Sequence, residues 1–268
     1  MRITLICIFI SFTGILHAQE LFVYTEPASN MAAKAIGVRL ANNLMYDKYS
    51  SKYNYHFIPE IMWGVSKKLM VHIDGFFSNQ DGSFDAEGAG LYMKYRFYSS
   101  DQVHSHFRMA LFARGSYNNS HVHQPAIDLN GHNSGYEAGM VMTKLINKFA
   151  LSASGSYIHG MDNGNDNKFP GNNRHAIGYT ISSGKLMLPE NYTDYRQTNL
   201  NLMLEMLGQT NLSSGKSYLD LAPSLQLIFL SRMRLDIGYR FPLVKDLWRT
   251  TDNGFLFRFE YNFFNVYK

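Results

Sequence analysis

The sequence predicts an all-β protein: an antiparallel, up-and-down transmembrane β-barrel of about twelve strands. Three observations carry this expectation. First, the stretch Gly254 to Tyr267, GFLFRFEYNFFNVY, puts Phe255, Phe257, Phe259, Tyr261 and Phe263 on one face of a period-2 strand, with Arg258, Glu260 and Asn262 on the other. Second, segments with the same alternation recur along the chain, separated by runs of turn-forming residues. Third, the N-terminus reads as an export signal, and no later run approaches the roughly 18 apolar residues of a transmembrane helix.

At the N-terminus, Met1 and Arg2 precede the apolar run Ile3 to Leu16, and Leu16-His17-Ala18 offers a small residue for cleavage before Gln19. Residues 1–18 are therefore expected to be a signal peptide. Residues 19–33 lack alternation and read as a periplasmic lead-in or a small lumen plug, and 34–268 as the barrel. The only cysteine, Cys7, falls in the signal, which excludes disulfides, thiolate metal sites and a cysteine nucleophile from the mature chain. Gln19 at the cleavage point argues against a lipoprotein. The net charge of +4 includes Arg2 and is too mild to imply a nucleic-acid partner. Aromatic residues at 15%, charged residues at 17% and a mean hydropathy of −0.22 fit alternation, in which each apolar residue has polar neighbours.

Taken in order, the first strand (Lys34 to Tyr46) shows Ile36, Val38, Leu40 and Leu44 against Arg39 and Asn43. The second (Tyr53 to Trp63) sets Tyr53, Tyr55, Phe57, Ile61 and Trp63 against Asn54, His56 and Glu60, and Pro59 predicts a bulge because it cannot donate to the ladder. In the third, Leu69, Val71, Ile73 and Phe77 oppose His72 and Asp74. The fourth (Phe84 to Phe97) places Leu91, Met93 and Tyr95 opposite Gly88, Gly90, Lys94 and Arg96. The fifth sets Phe107, Met109 and Leu111 against Arg108 and Arg114. The sixth and seventh, joined at Ile146-Asn147, turn Glu137, Thr143, Ser152, Ser154 and Ser156 inward. The eighth (Ala176 to Leu188) alternates poorly. The ninth (Arg196 to Leu207) carries Leu200, Leu202 and Leu204 against Asn201 and Glu205, followed by a loop from Gly208 to Lys216. The tenth and eleventh turn Asp220, Gln226, Arg234, Asp236 and Arg240 inward, and Gly254 to Tyr267 closes the series. The odd-numbered connections are polar and several are long, including Asn118 to Ser134 and Met161 to Arg174. Most even-numbered ones are short, which places the long set outside the cell.

On this pattern, the chain resembles the small outer-membrane β-barrels of Gram-negative bacteria from about Lys34 to Lys268. The last strand looks like the C-terminal assembly signal of that class, although Phe264 to Lys268 overhang it. The resemblance implies an outer-membrane location, contact with outer-membrane lipids, and recognition of the C-terminal strand by the barrel-assembly machinery. A segment from His104 through HQPAIDLNGHNSGYE to Glu137 resembles a signature of an uncharacterised barrel family, to which no activity attaches.

Arg96, Arg108, Arg114, Glu137, Glu205, Asp236, Arg240, Arg258 and Glu260 are the expected lumen-lining set. They form either paired charges filling a narrow lumen or an arginine-lined path for small, anionic solutes, with Arg96, Arg108 and Arg114 as an under-neutralised stripe. The i, i+2 pair His121/His123 is a candidate for a metal-binding surface, although solvated loop histidines explain it as well. His132-Asn133-Ser134-Gly135 invites comparison with outer-membrane phospholipase, whose motif has a serine two residues after a histidine; there His132 and Ser134 would be base and nucleophile, but Gly135 stands where the motif has asparagine. No cofactor is implied. The expected function is a channel or transport-associated barrel, with a lipid hydrolase or a metal-binding barrel as alternatives.

Overall fold

Alternation at the pleat's period of two leaves each strand one face for lipid and one for the interior. Twelve strands form on this pattern in the computed structural model, which describes residues 22–47, 51–171, 173–191, 193–194 and 196–267. The expected signal peptide, its cleavage point and Cys7 lie outside the described residues. In chain order the strands are β1 (Ile36–Asp47), β2 (Lys52–Gly64), β3 (Leu69–Ser78), β4 (Asp85–Gln102), β5 (Ser105–Asn118) and β6 (Gly135–Ile146). They continue as β7 (Phe149–Gly160), β8 (His175–Leu188), β9 (Asn199–Asn211), β10 (Ser217–Phe229), β11 (Met233–Lys245) and β12 (Thr251–Phe263). Each pairs antiparallel with its sequence neighbours, and β12 pairs with β1, Arg39 opposite Glu260, to close the barrel. Closure leaves no unpaired edge, which lipid would not tolerate.

In β12, Phe255, Phe257 and Phe259 are 44%, 41% and 43% exposed on the outer face, while Leu256, Arg258 and Glu260 are buried inside. The same outward exposure of large apolar side chains runs around the barrel, through Ile61, Ile73, Leu91, Leu111, Leu151, Ile181 and Leu204. Thirteen residues in β12, rising ~3.3 Å each and tilted ~45°, cover roughly 30 Å of membrane normal. No described helix is long and apolar enough to cross a membrane.

Two expectations, on Pro59 and on the end of the ninth strand, are corrected, while the overhang after the last strand and the weak alternation of the eighth are found as expected. Pro59 forms no bulge: β2 stays in register with β1 through Leu40↔Pro59, and with β3 on either side of it at Phe57↔Phe77 and Glu60↔Asp74. β9 runs on to Asn211, because Gln209 and Asn211, polar residues that read as loop, are inward side chains with lumen partners. β12 ends at Phe263, and beyond it the Val266 N–H donates to Lys34 O and the Tyr267 hydroxyl to Gly64 O. β8 alternates poorly because its inward residues are Ala176, Gly178, Thr180, Ser182 and Gly184, small side chains that clear space. A Cβ on Gly184 would stand 3.5 Å from the Phe22 ring.

The even connections are tight, and between β10 and β11 Leu230 and Ser231 take φ of 53° and 55°, the pair of positive values that a type I′ hairpin needs. The β8–β9 connection, residues 189–198, is the long exception. Lys148 ties it to the neighbouring turn by donating to Pro189 O at 2.9 Å.

Candidate functional site, the closed lumen

Small inward residues on β8 and polar ones on β9 make a seat for the chain that precedes β1. Glu205 projects inward from β9, fully buried. Its Oε1 accepts from the N–H groups of Val23 and Tyr24, each at 2.9 Å, and its Oε2 from the N–H and hydroxyl of Thr25. Arg258 donates to Phe22 O at 3.0 Å, and Lys94 to Pro27 O at 2.6 Å and Ser29 O at 2.9 Å. Thr143 Oγ1 accepts from Ala28 N–H at 2.9 Å. Residues 22–29 thus cross the lumen, and inward side chains satisfy backbone groups that no sheet would pair. Phe22 and Val23 complete the seat by packing on Leu145, Ala150, Met203 and Leu256.

The other end is covered by the β5–β6 connection, residues 119–134. Gln209 accepts from Ile127 N–H at 2.9 Å and donates to Ile127 O at 2.8 Å. Ile127 and Leu129 pack with Ile158, Phe169 and Ala176. Gln124 reaches the last external loop, accepting from Thr250 N–H at 3.0 Å.

Between this roof and the N-terminal floor lies a cavity of about 350 Å³, lined by Val23 to Glu26, Ile127 to Asn130, and wall residues of both charges. Most wall charges are paired, as charges out of bulk water must be. Arg39 donates to Glu260 at 2.9 Å, Glu60 at 3.1 Å and Glu26 at 3.0 Å. Arg234 bridges Asp236 and Glu260, and Arg258 lies 2.7 Å from Asp236. Asp220 holds Arg249 through both oxygens, at 2.6 and 2.7 Å, and Arg240 as well. Arg249 also stacks 3.9 Å from the centre of the Tyr218 ring.

Of the expected lumen set, Arg114, Glu137, Arg240 and Arg258 line this cavity. Glu205, Asp236 and Glu260 are buried in the networks beside it. Arg96 and Arg108 also face inward but lie toward the short-turn end, where Arg96 donates to Lys67 O and Arg108 to Ser29 Oγ and Asp101. Arg96, Arg108 and Arg114 therefore do not form the under-neutralised stripe expected from the pattern. The floor separates Arg114 from the other two, and each guanidinium has its own partners.

His132 and Ser134 point to different neighbours. Ser134 is buried, with its hydroxyl donating to Asn118 O at 3.1 Å and accepting from Asn118 N–H at 2.9 Å. The His132 ring packs on His56 at 4.3 Å, with Nε2 3.8 Å from Asp128. His121 and His123 both contact Asp81 of the β3–β4 loop, at 3.0 and 2.8 Å. Burial pulls the Asp81 carboxyl up, but hydrogen bonds from His123 and His121 outweigh it and hold the group below its ordinary value. Among the described residues no group of three or more His, Cys, Asp or Glu is arranged to hold a metal. Pattern reading assigned Gln209 to a loop and did not single out Arg249, nor Tyr24 and Glu26, which lie in the stretch it allowed as a plug.

No family model and no curated protein matches the chain. Solved structures do. The COG4313 outer membrane channel from Pseudomonas putida F1 is similar over 90% of this chain and 100% of that one, with a TM-score of 0.60 and 12% identity. The NanC porin is more distant, with a TM-score of 0.49 and 10% identity over 85% of this chain and 98% of that one. The chain folds as an outer-membrane β-barrel. A closed, even-numbered antiparallel barrel with an apolar belt and a polar lumen belongs in that membrane.

Proposed function

We propose that this barrel is a narrow channel for small polar solutes, held closed by two inward segments. The observation that carries the reading is the polar cavity between floor and roof, since a barrel needing only a packed interior has no use for an unfilled one. Both barriers are single chain segments bound by side chains rather than by a sheet, and such attachments release locally. The partners in this reading are the outer-membrane lipids around the apolar belt, the assembly machinery that takes β12, and the solute. The anion preference expected from the arginines has less support, because Arg39, Arg114, Arg240 and Arg258 share the cavity lining with Glu26, Glu60, Asp74, Asp128 and Glu137.

Single-channel recording in planar bilayers tests the reading. Brief openings of small conductance are expected, and Arg114→Glu shifts the reversal potential in a salt gradient towards cations. Arg108→Glu leaves selectivity unchanged and lengthens openings, because it removes the contact with Ser29 of the floor. A barrel that never conducts, even with residues 22–29 deleted, overturns the proposal.

A further inference from the structure

Resting on the channel reading, we infer that the cavity is a subsite for a small zwitterion, with an ammonium group at one end and a carboxylate at the other. On the wall built from β3 to β6, Asp74 and Glu137 face the cavity, and among the described residues neither carboxylate accepts a hydrogen bond or forms an ion pair. Asp74 is only 6% exposed. The cation between them, Arg114, stands beside Glu137 in register, but its Nη1 donates to Asn130 of the roof and its guanidinium lies over Tyr92, 5.2 Å from the ring centre. His72 supplies an independent sign. It lines the cavity at 3% exposure, its Nδ1 is engaged by Glu60, and its Nε2 has no partner. In the neutral tautomer whose Nδ1 donates to the carboxylate, Nε2 is a lone pair that needs a donor. This wall therefore presents two carboxylates and an imidazole acceptor against one guanidinium, and an ammonium group brings three donors and the missing charge.

The opposite wall has the reverse imbalance. Six strands further round the ring of twelve, one carboxylate, Asp220, serves two arginines, and one of them, Arg240, lines the cavity. The nearest roof carboxylate, Asp128, is engaged by Asn130 N–H and lies 3.8 Å from His132. From the floor, Tyr24 also lines the cavity, and its hydroxyl, held against Gly238, has no partner. The field across the cavity thus points from the Arg240 wall to the Asp74 wall. A neutral solute satisfies neither wall and a simple ion satisfies one. A zwitterion satisfies both, and a volume of about 350 Å³ holds one of amino-acid size.

The probe is 4-aminobutyrate, compared with arabinose, butyrate and butylammonium in swelling assays on proteoliposomes containing the purified protein. 4-Aminobutyrate is expected to enter fastest. Asp74→Asn combined with Glu137→Gln should slow it about tenfold, the effect of losing charge-assisted hydrogen bonds, and slow arabinose much less. Arg240→Gln should slow 4-aminobutyrate and butyrate but not butylammonium. Entry in order of size alone, or an equal slowing of arabinose by the double variant, overturns the inference while leaving the channel intact. If no solute enters, the channel reading has failed. Calorimetric titration of 4-aminobutyrate then decides the subsite: heat seen with the wild type and lost in the double variant supports it, and no heat overturns it.

Discussion

Thr25 meets Glu205 twice: its N–H and its hydroxyl, at 3.0 and 2.8 Å, both end on Oε2. With Val23 and Tyr24 on Oε1, one carboxylate closes four donors of the segment that bars the lumen. Glu205→Ala strands the three N–H groups, at about 1–3 kcal/mol for each donor left buried, while the Thr25 hydroxyl keeps Ser182 Oγ at 2.8 Å. The floor should then release, seen as longer open times in bilayers and faster proteolysis near residue 25. Glu205→Gln, which keeps one acceptor oxygen, should fall between. Wild-type open times in Glu205→Ala would mean that the floor is not the barrier.

Arg39 joins the floor to the barrel seam, touching Glu26 ahead of β1, Glu60 on β2 and Glu260 on β12. Arg39→Met leaves three carboxylates short of a cation and should cost about 3–5 kcal/mol, as breaking a buried pair does. Urea unfolding followed by heat-modifiable gel migration measures it. Adding Glu60→Gln should restore part of the loss, because the remaining charges then balance better; no recovery would show that Arg39 acts through packing of its stem.

Ser134→Ala removes the hydroxyl that both donates to and accepts from the Asn118 backbone. The expected loss is about 1–2 kcal/mol, confined to the roof. Faster amide exchange at Asn118, with phosphatidylcholine turnover unchanged from the wild type, is the predicted outcome. Lipid cleavage by the wild type that vanishes in the variant would instead favour a hydrolase.

Asp81 gives the roof a pH dependence. Its carboxyl is held below its ordinary value in the folded loop, so the stability it contributes is present above the unfolded value of about 4 and is lost as pH falls through the lower folded value. Amide exchange at His121, whose N–H donates to Asp81 at 3.1 Å, should therefore speed up below about pH 4. In Asp81→Asn that acid-dependent step should disappear. Its persistence would assign it to another group.

Strand number, closure and the inward set were legible in the sequence because each rests on a period of two that lipid enforces on one face. The outward Phe255, Phe257 and Phe259 and the inward Arg258 and Glu260 illustrate it. Of the contents of the lumen, only the alternative of a plug in residues 19–33 was legible, and not its seat. Val23 to Thr25 carry no periodicity, since they are held by backbone N–H groups, which every residue but proline has. Gln209 and Arg249 look like loop residues until a partner more than 25 positions away in the chain, Ile127 or Asp220, gives them a place inside. Charge counting went astray for the same reason: inward direction follows from parity, whereas pairing depends on which strand lies across the lumen and on where the floor cuts it.

The floor also bears on the order in which the molecule is made. Residues 22–29 precede every strand, yet their seat is built from Lys94 on β4, Thr143 on β6, Glu205 on β9 and Arg258 on β12. Contacts spanning so much chain form late. This early segment therefore has nowhere to dock until the final strand has paired with the first. Until then its apolar residues Phe22 and Val23 stay exposed to water, and their disappearance into the lumen marks a finished barrel.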